Sequence, residues 1–351
     1  MFLRNCWYVF GWSRDVVAGG KPVGRVIIGQ PIAVWRSDAD GRLHAAEDRC
    51  PHRHAPLSAG QVEGEAIRCL YHGMKFGTDG RCLHVPLLET APDISIRIYP
   101  VVEKDSWIWI WTGDADKADE SLIPDAFGLD NPDEPMQANS IEYDANYQLI
   151  HDNLCDLSHV DFVHESTLRL ASGAWWAQSK PRITTRDRAI RFERWFVNAD
   201  LPGGQSGEKV DTWIAYDFVV PGIFIMRGAR YPEGTAARCG MQEPVGIEPH
   251  TRNIEQQAVT PIDEARTAYH FATGLIGNTP ELTQKLAQRM GVVIAAFAED
   301  RTMIEAQQRI WNRTDPSVEK YFLPQDKGPH LMRKLMERLV REEREAASQG
   351  A

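Results

Sequence analysis

Cys50-Pro-His52 is followed, sixteen residues later, by Cys69-Leu-Tyr-His72, a C-x-H-x16-C-x2-H pattern. Thiols and imidazoles at this spacing are metal ligands, and the pattern obliges two short loops to face each other across one site. Two Cys–His pairs can make a Cys2His2 zinc centre. Zinc fingers, however, place both cysteines in one segment and both histidines in the other. Here each segment supplies one of each, so the folded loops present a thiol and an imidazole apiece.

That mixed set suits a Rieske [2Fe–2S] cluster, in which two thiolates hold one iron and two imidazoles the other. The flanking residues, Cys50-Pro-His-Arg-His-Ala-Pro-Leu57 and Cys69-Leu-Tyr-His-Gly-Met-Lys-Phe76, match the Rieske signature closely. Cys50, His52, Cys69 and His72 are therefore the expected cluster ligands, and His54 falls outside the spacing. In respiratory-complex Rieske proteins two further cysteines bridge these loops. Ala55 and Tyr71 stand in their places, so no bridge forms. Met74 and Phe76 stand where those proteins aim hydroxyls at the cluster sulfurs. Fewer hydrogen bonds to sulfur lower the potential.

The rest of the chain is consistent with a soluble two-domain protein in a reducing, cytoplasmic compartment. Its 351 residues can bury two cores, and 43% apolar with 25% charged residues is an ordinary globular balance. No run reaches the ~18 apolar residues of a membrane span. A net charge of −10 without a basic block argues against nucleic acid as a partner. Cys6, Cys82 and Cys239 read as small core residues. To about residue 112 the chain is rich in short β signals, including Arg25–Ile28, Ile32–Arg36, Arg42–Ala46 and the Trp107–Trp111 alternation of Trp and Ile. Composition shifts between Gly113 and Pro135, giving an expected division into 1–115 and 116–351. Beyond it, strand patterns at 190–197, 210–220, 223–230, 253–259 and 268–272 are framed by helices near Tyr147–His159 and Pro280–Trp311. The expected class is α+β: an all-β N-terminal domain, then an antiparallel sheet gripping a long helix. His330–Ala347 has one apolar face and reads as an amphipathic helix packed on its own body.

A second ligand pattern lies in Asp156-x2-His159-x4-His164. On a continuous helix Asp156 and His159 share a face, whereas His159 and His164 diverge by about 140°. They converge on one ion only if the helix unwinds near His164. Two histidines at this spacing are as often a surface pair as a metal pair, so a third ligand is needed. On the C-terminal helix the stripe Val293, Phe297, Asp300, Ile304, Trp311 is apolar except for Asp300, and a carboxylate on a buried face needs a cation. An arginine would serve as well as a metal. Two histidines and a carboxylate make the facial triad of Fe(II) oxygenases. The expected iron ligands are His159, His164 and Asp300, with Glu299 as the alternative carboxylate.

Taken in order, Asn5-Cys-Trp-Tyr-Val9, the Cys50–His72 signature, Asp156-x2-His159-x4-His164 and the Glu299-Asp300…Glu305-Ala-Gln307 helix resemble the Rieske non-haem iron oxygenases. The resemblance is to the branch of vanillate O-demethylase and dicamba monooxygenase oxygenase subunits, and it spans essentially the whole chain. It implies a monooxygenase that uses O2 and electrons from a separate ferredoxin and/or reductase to hydroxylate or O-demethylate a small aromatic compound. It also implies a head-to-tail homotrimer, Asn153 beside the iron, and Asp156 linking His159 to His72 of a neighbouring subunit. The three-residue offset suggests that the Asp156 carboxylate accepts the free ring N–H of His159, with a helix cap as the alternative role.

Candidate pocket residues are Ile150, Leu154, Trp175, Trp176, Phe224 and Met226. Arg169, Arg227 and Arg230 are candidate partners for a substrate carboxylate or sulfonate, and Arg49, Arg53, Lys75 and Arg81 for a protein electron donor. Ring dihydroxylation, N-demethylation or methyl hydroxylation would use the same metals. A Rieske electron carrier without oxygenase activity would leave everything past residue 112 without a role.

Overall fold

The computed structural model describes residues 2–168, 175–200, 209–276 and 280–349. The chain forms two compact units. One comprises Met1–Asp125 with Thr260–Glu264, and the other Ala126–Val259 with Ala265–Ala351. The N-terminal unit thus incorporates a five-residue excursion from the C-terminal half, for which a linear division of the sequence makes no provision.

The N-terminal unit is built from ten short strands: β1 (Trp7–Trp12), β2 (Val23–Ile27), β3 (Gln30–Arg36), β4 (Leu43–Glu47), β5 (Gln61–Glu63), β6 (Ala66–Arg68), β7 (Lys75–Phe76), β8 (Cys82–His84), β9 (Val101–Lys104) and β10 (Trp107–Trp111). They form sheets ordered β1-β10-β9, β2-β3-β4 and β5-β6-β7-β8. All five residues of β10 are buried, so its tryptophans pack as core on both faces. Trp7 meets Trp111 edge-on at 5.4 Å between ring centres. Cys6 and Cys82 are buried too.

Among the described residues the C-terminal unit contains seven strands: β11 (Met136–Tyr143), β12 (Arg182–Thr185), β13 (Ala189–Asp200), β14 (Lys209–Val219), β15 (Ile223–Pro232), β16 (Thr251–Pro261) and β17 (Thr267–Leu275). They make one sheet, ordered β11-β17-β16-β15-β14-β13-β12. Its helices are α1 (Tyr147–Cys155), α2 (Val160–Val163), α3 (Trp175–Gln178), α4 (Thr235–Arg238), α5 (Pro280–Trp311) and α6 (Lys327–Gln349). The long helix α5 packs against β11 and β17. Phe297 anchors it edge-on to Phe271 at 4.7 Å and to Tyr269 at 5.1 Å. Val293, Phe297, Asp300 and Ile304 are buried on that stripe. Helix α6 packs on α1 through a face that buries Met332, Leu335, Met336 and Leu339. Its Arg333 grips Asp152 of α1 through Nε at 2.8 Å and through Nη2. No helix among the described residues is long and apolar enough to cross a membrane.

The helix expected over Tyr147–His159 ends at Cys155. Asn146 caps its start by accepting from Gln148 N. At Asp156 the backbone becomes extended (φ −130°, ψ 92°), and its side chain accepts from Ser158 N at 2.9 Å to start a single 3-10 turn, Leu157–His159, that leads into α2. An aspartate satisfies the free N–H groups of a new helix start better than it serves a helix interior, which is why the break falls there.

One turn before this break, His151 is wholly buried, packed against Tyr147, Phe218 and Phe224, and among the described residues neither ring nitrogen has a hydrogen-bond partner. Burial first, and Arg333 second, pull its pKa from 6.5 to about 3. Above pH 6.5 the ring is neutral whether folded or unfolded, and stability is at its full value. Between pH 6.5 and about 3 only the unfolded chain takes up the proton, so stability falls by up to ~1.4 kcal/mol per pH unit. His151→Leu should therefore flatten the decline of the thermal midpoint between pH 7 and 5, read by circular dichroism.

Candidate metal centres and substrate cavity

In the N-terminal unit the loop from Cys50 to Ala55 closes through Cys50 N donating to Ala55 O at 2.9 Å. The second loop closes through Cys69 N donating to Met74 O at 2.8 Å. Gly73, at φ +76°, makes the left-handed turn that brings His72 back beside Cys69, and an added Cβ would meet Pro86 Cγ at 2.8 Å. Cys50 and Cys69 are 2% and 1% exposed, in one core cluster with Met74 and Phe76. The rings of His52 and His72 lie outside on the surface, 4.5 Å apart between centres. Burial, and then the adjoining Cys69 thiol, raise the Cys50 pKa, so the thiol pair calls for a cation. Desolvation and then His52 lower that of His72, favouring the neutral imidazole that a metal needs. Two buried sulfurs beneath two surface imidazoles fit a cluster whose irons differ in ligand type.

The two positions from which respiratory-complex Rieske proteins aim hydroxyls at the sulfurs offer none here. Met74 Sδ lies 3.9 Å from Cys50 Sγ, and Phe76 is buried. The cluster should have a midpoint potential near the low end of the Rieske range, roughly −150 mV. Protein-film voltammetry would check this, and a value above zero would refute the hydrogen-bond argument. Of the four expected docking cations, Arg49 pairs with Glu47, Lys75 with Glu63 and Arg81 with Asp79. Among the described residues Arg53 alone of the four has no such carboxylate.

In the C-terminal unit, the 3-10 turn and α2 bring His159 and His164 round to Asp300, and their ligand atoms all lie within 4.8 Å of one another. His159 Nε2 is 3.6 Å from Asp300 Oδ1, and His164 Nε2 is 3.3 Å from Oδ2. His164 and Asp300 are 2% and 3% exposed. Each imidazole is held by its far nitrogen: His159 Nδ1 by the carbonyl oxygen of Asp156, and His164 Nδ1 by Glu299 Oε2 at 3.0 Å. Two Nδ1–H donors fixed in this way leave two Nε2 lone pairs aimed at one point beside a carboxylate. A divalent metal ion fits this donor set. Burial lowers the His159 pKa against the pull of Asp300. At His164 burial is outweighed by Asp300 and then Glu299, and the pKa rises.

Three sequence expectations change here. Glu299 is not an alternative ligand but the group that orients His164, and it also accepts from Thr167 Oγ1 at 2.6 Å and from Ser166 Oγ. The Asp156 carboxylate does not hold His159. The break at residue 156 turns that carboxylate to cap Ser158 and leaves the backbone carbonyl facing the ring. Asn153 does more than lie nearby: its Nδ2 donates to Asp300 Oδ1 at 2.9 Å and lies 3.3 Å from His159 Nε2.

A cavity of about 240 Å³ opens on these residues. Leu154, Trp176, Phe224, Met226 and Arg230 line it as expected, while Ile150 is buried without reaching it. Arg169 and the side chain of Trp175 lie outside the described residues. Its floor is one face of the sheet. Cross-strand rows Tyr216–Met226–Glu255, Ile214–Gly228–Asn253 and Thr212–Arg230–Thr251 succeed one another across β14, β15 and β16. Residue 227 has the opposite parity, so Arg227 points to the other face and stacks on Phe127 at 4.8 Å. That excludes it from the cavity.

Residues 6–100 match the Rieske [2Fe-2S] domain, and residues 143–342 match the vanillate O-demethylase oxygenase C-terminal domain. The chain is a Rieske non-haem iron oxygenase of the vanillate O-demethylase branch. Its cofactors are a Rieske [2Fe–2S] cluster and a mononuclear non-haem iron, and enzymes of this family depend on separate electron-transfer proteins. The chain is 37% identical to the toluene-4-sulfonate monooxygenase system iron-sulfur subunit of Comamonas testosteroni over 98% of both chains. It is 32% identical to a vanillate O-demethylase oxygenase subunit of a Pseudomonas species, over 99% of this chain and 97% of that one. Dicamba monooxygenase bound to dicamba superposes with a TM-score of 0.82 at 27% identity, covering 99% of each chain.

Removing a ligand, Asp300, and removing the group that orients another ligand, Glu299 behind His164, should differ in degree. Asp300→Ala should take iron content from about three to about two per chain, with the visible cluster spectrum intact, whereas Glu299→Gln should retain the ion with ~10–100-fold weaker affinity. Metal analysis after graded chelation separates the two.

Proposed function

We propose that this oxygenase hydroxylates or O-demethylates a small aromatic compound, with His159, His164 and Asp300 as the ligands of its mononuclear iron. Cys50, His52, Cys69 and His72 are the cluster ligands in this reading. The observation that carries it is the joining, within one unit, of two Nε2 lone pairs and a buried carboxylate to an aromatic-lined cavity. When bound, the iron supplies O2 activation with electrons delivered through the cluster. The protein does the rest. Phe224, Trp176 and Phe297 give a substrate ring apolar walls and keep bulk water from the reacting carbon. Asn153 holds Asp300 from the cavity side. Relatives named for toluene-4-sulfonate, vanillate and dicamba support an aromatic substrate.

The electron donor in this reading is a ferredoxin and/or reductase, and the setting is the cytoplasm, in keeping with six unbridged cysteines. With a surrogate reductase, a panel of methoxybenzoates, methylated aryl sulfonates and N-methyl compounds should stimulate oxygen uptake for one class. Formaldehyde release marks demethylation, and a hydroxymethyl product marks methyl hydroxylation. Uptake that ignores every aromatic compound would defeat the reading.

Within a head-to-tail homotrimer, Asp156 has a part to play. One carboxylate oxygen is engaged by Ser158 N, and the other is available to a His72 imidazole of a neighbouring copy, while the carbonyl of the same residue holds His159. Asp156 then bridges the two centres through both of its oxygen-bearing groups. Asp156→Asn keeps the cap acceptor but can donate where the carboxylate accepted. Iron content and cluster reduction should stay normal in this variant, and substrate-dependent cluster reoxidation should slow at least tenfold in stopped-flow traces. Wild-type reoxidation would reduce Asp156 to a helix cap.

A further inference from the structure

Among the described residues that line the cavity, every charged side chain but one faces a group of opposite charge or belongs to the metal site. Asp200 is paired with Lys209, Glu255 with Arg289, and Asp300 faces the two imidazoles. Arg230 is left over. Among the described residues its guanidinium makes one hydrogen bond, Nη1 to Thr251 Oγ1 at 3.5 Å, the outer limit for such a bond, and no carboxylate lies within ion-pair range of it. A half-buried guanidinium presents five N–H donors, and leaving them without acceptors is costly. Burial first, and Arg289 second, lower its pKa, the direction expected of a cation on a wall that lacks an anion.

The surroundings give that missing anion a place. Gly228, the preceding residue on the cavity face of β15, has no side chain to separate Arg230 from Met226. An added Cβ there would meet Asn253 Oδ1 at 2.6 Å, so the Asn253 amide lies over the glycine and supplies the polar edge of the floor beside Arg230. The position along the cavity follows from α5. Arg289, near enough to act electrostatically on Arg230, precedes Asp300 by eleven residues, about 16 Å along a helix axis. The uncompensated cation therefore sits at the end of the cavity away from the triad.

We propose that Arg230 is the anchor for an anionic group on the substrate, so that the enzyme takes aromatic carboxylates or sulfonates and oxidises the carbon at the opposite end of the ring. This rests on the aromatic oxygenase reading above and adds to it the charge and orientation of the substrate. The guanidinium forks onto two oxygens of either acid, Asn253 borders the same space, and the apolar wall takes the ring.

Titration calorimetry on anaerobic holoenzyme tests the anchor with 4-methylbenzenesulfonate, 4-methylbenzoate and neutral 4-methylbenzamide. Arg230→Gln should weaken the better-bound acid by about tenfold to a hundredfold and leave the amide within about twofold, while Arg230→Lys loses less because it keeps the charge. Which acid binds more tightly distinguishes sulfonate from carboxylate. An unchanged cluster spectrum and iron content confirm that the variants are folded. The anchor is overturned if wild-type enzyme prefers the amide, if it binds neither acid, or if Arg230→Gln affects acid and amide alike. Acid binding that depends on Arg230 but does not stimulate oxygen uptake would uphold the anchor and defeat the oxygenase reading instead.

Discussion

A carboxylate that is 3% exposed in the middle of an apolar helix stripe has to be met by positive charge or by a metal, and the catalytic unit is arranged around meeting Asp300. Helix α5 is fixed to β11 and β17 by Phe297, whose ring lies against Phe271 and Tyr269 one turn before Asp300. On the opposite side, the chain after α1 must abandon its helix for His159 and His164 to reach the same carboxylate. The break at Asp156 makes this possible, and the groups it frees are put to use: the side chain starts the next turn and the carbonyl holds the first imidazole. Glu299, on the adjacent position of α5, then takes the second imidazole and ties the loop hydroxyls of Ser166 and Thr167 to the same helix. One helix thus supplies both the ligand and the clamp.

The cluster unit solves the same problem in a different way. Its thiols are buried and its imidazoles exposed, so the two kinds of ligand are sorted by depth and not by helix face. Short loops closed by their own backbone hydrogen bonds do the sorting. A glycine at φ +76° lets the second loop turn sharply enough to bring its histidine to the surface beside the first.

Much of this was legible in the sequence because it is local. Cys50-Pro-His52 and Cys69-Leu-Tyr-His72 are complete within a few residues, and Asp300 stands out as a charge on an apolar stripe whatever the tertiary structure. What was not legible depends on partners distant in sequence or on phase. An aspartate at residue 156 is compatible with a helix interior and with a helix start, and only the demand for His159 and His164 to converge decides between them. Glu299 lies one position off that stripe, and only packing reveals that it clamps His164, Ser166 and Thr167. The same holds for Arg227 and Arg230: both lie in an obvious strand, but a strand pattern buried on both faces does not reveal which parity looks into a cavity. The segment Thr260–Glu264, which joins the N-terminal unit, carries no composition that would announce it.

The parity of the floor has a consequence for how such an enzyme changes over generations. Side chains at 212, 214, 226, 230 and 253 face the cavity, while the backbone hydrogen bonds that hold β14, β15 and β16 together do not depend on which side chains those are. The alternate residues, among them Trp213, Ala229 and Tyr231, form a separate cluster on the other face with Trp195. Selectivity and foldedness are thereby written on opposite sides of the same three strands. A lineage can exchange one aromatic substrate for another by single substitutions on one face, and the cluster beneath keeps the sheet intact while it does so.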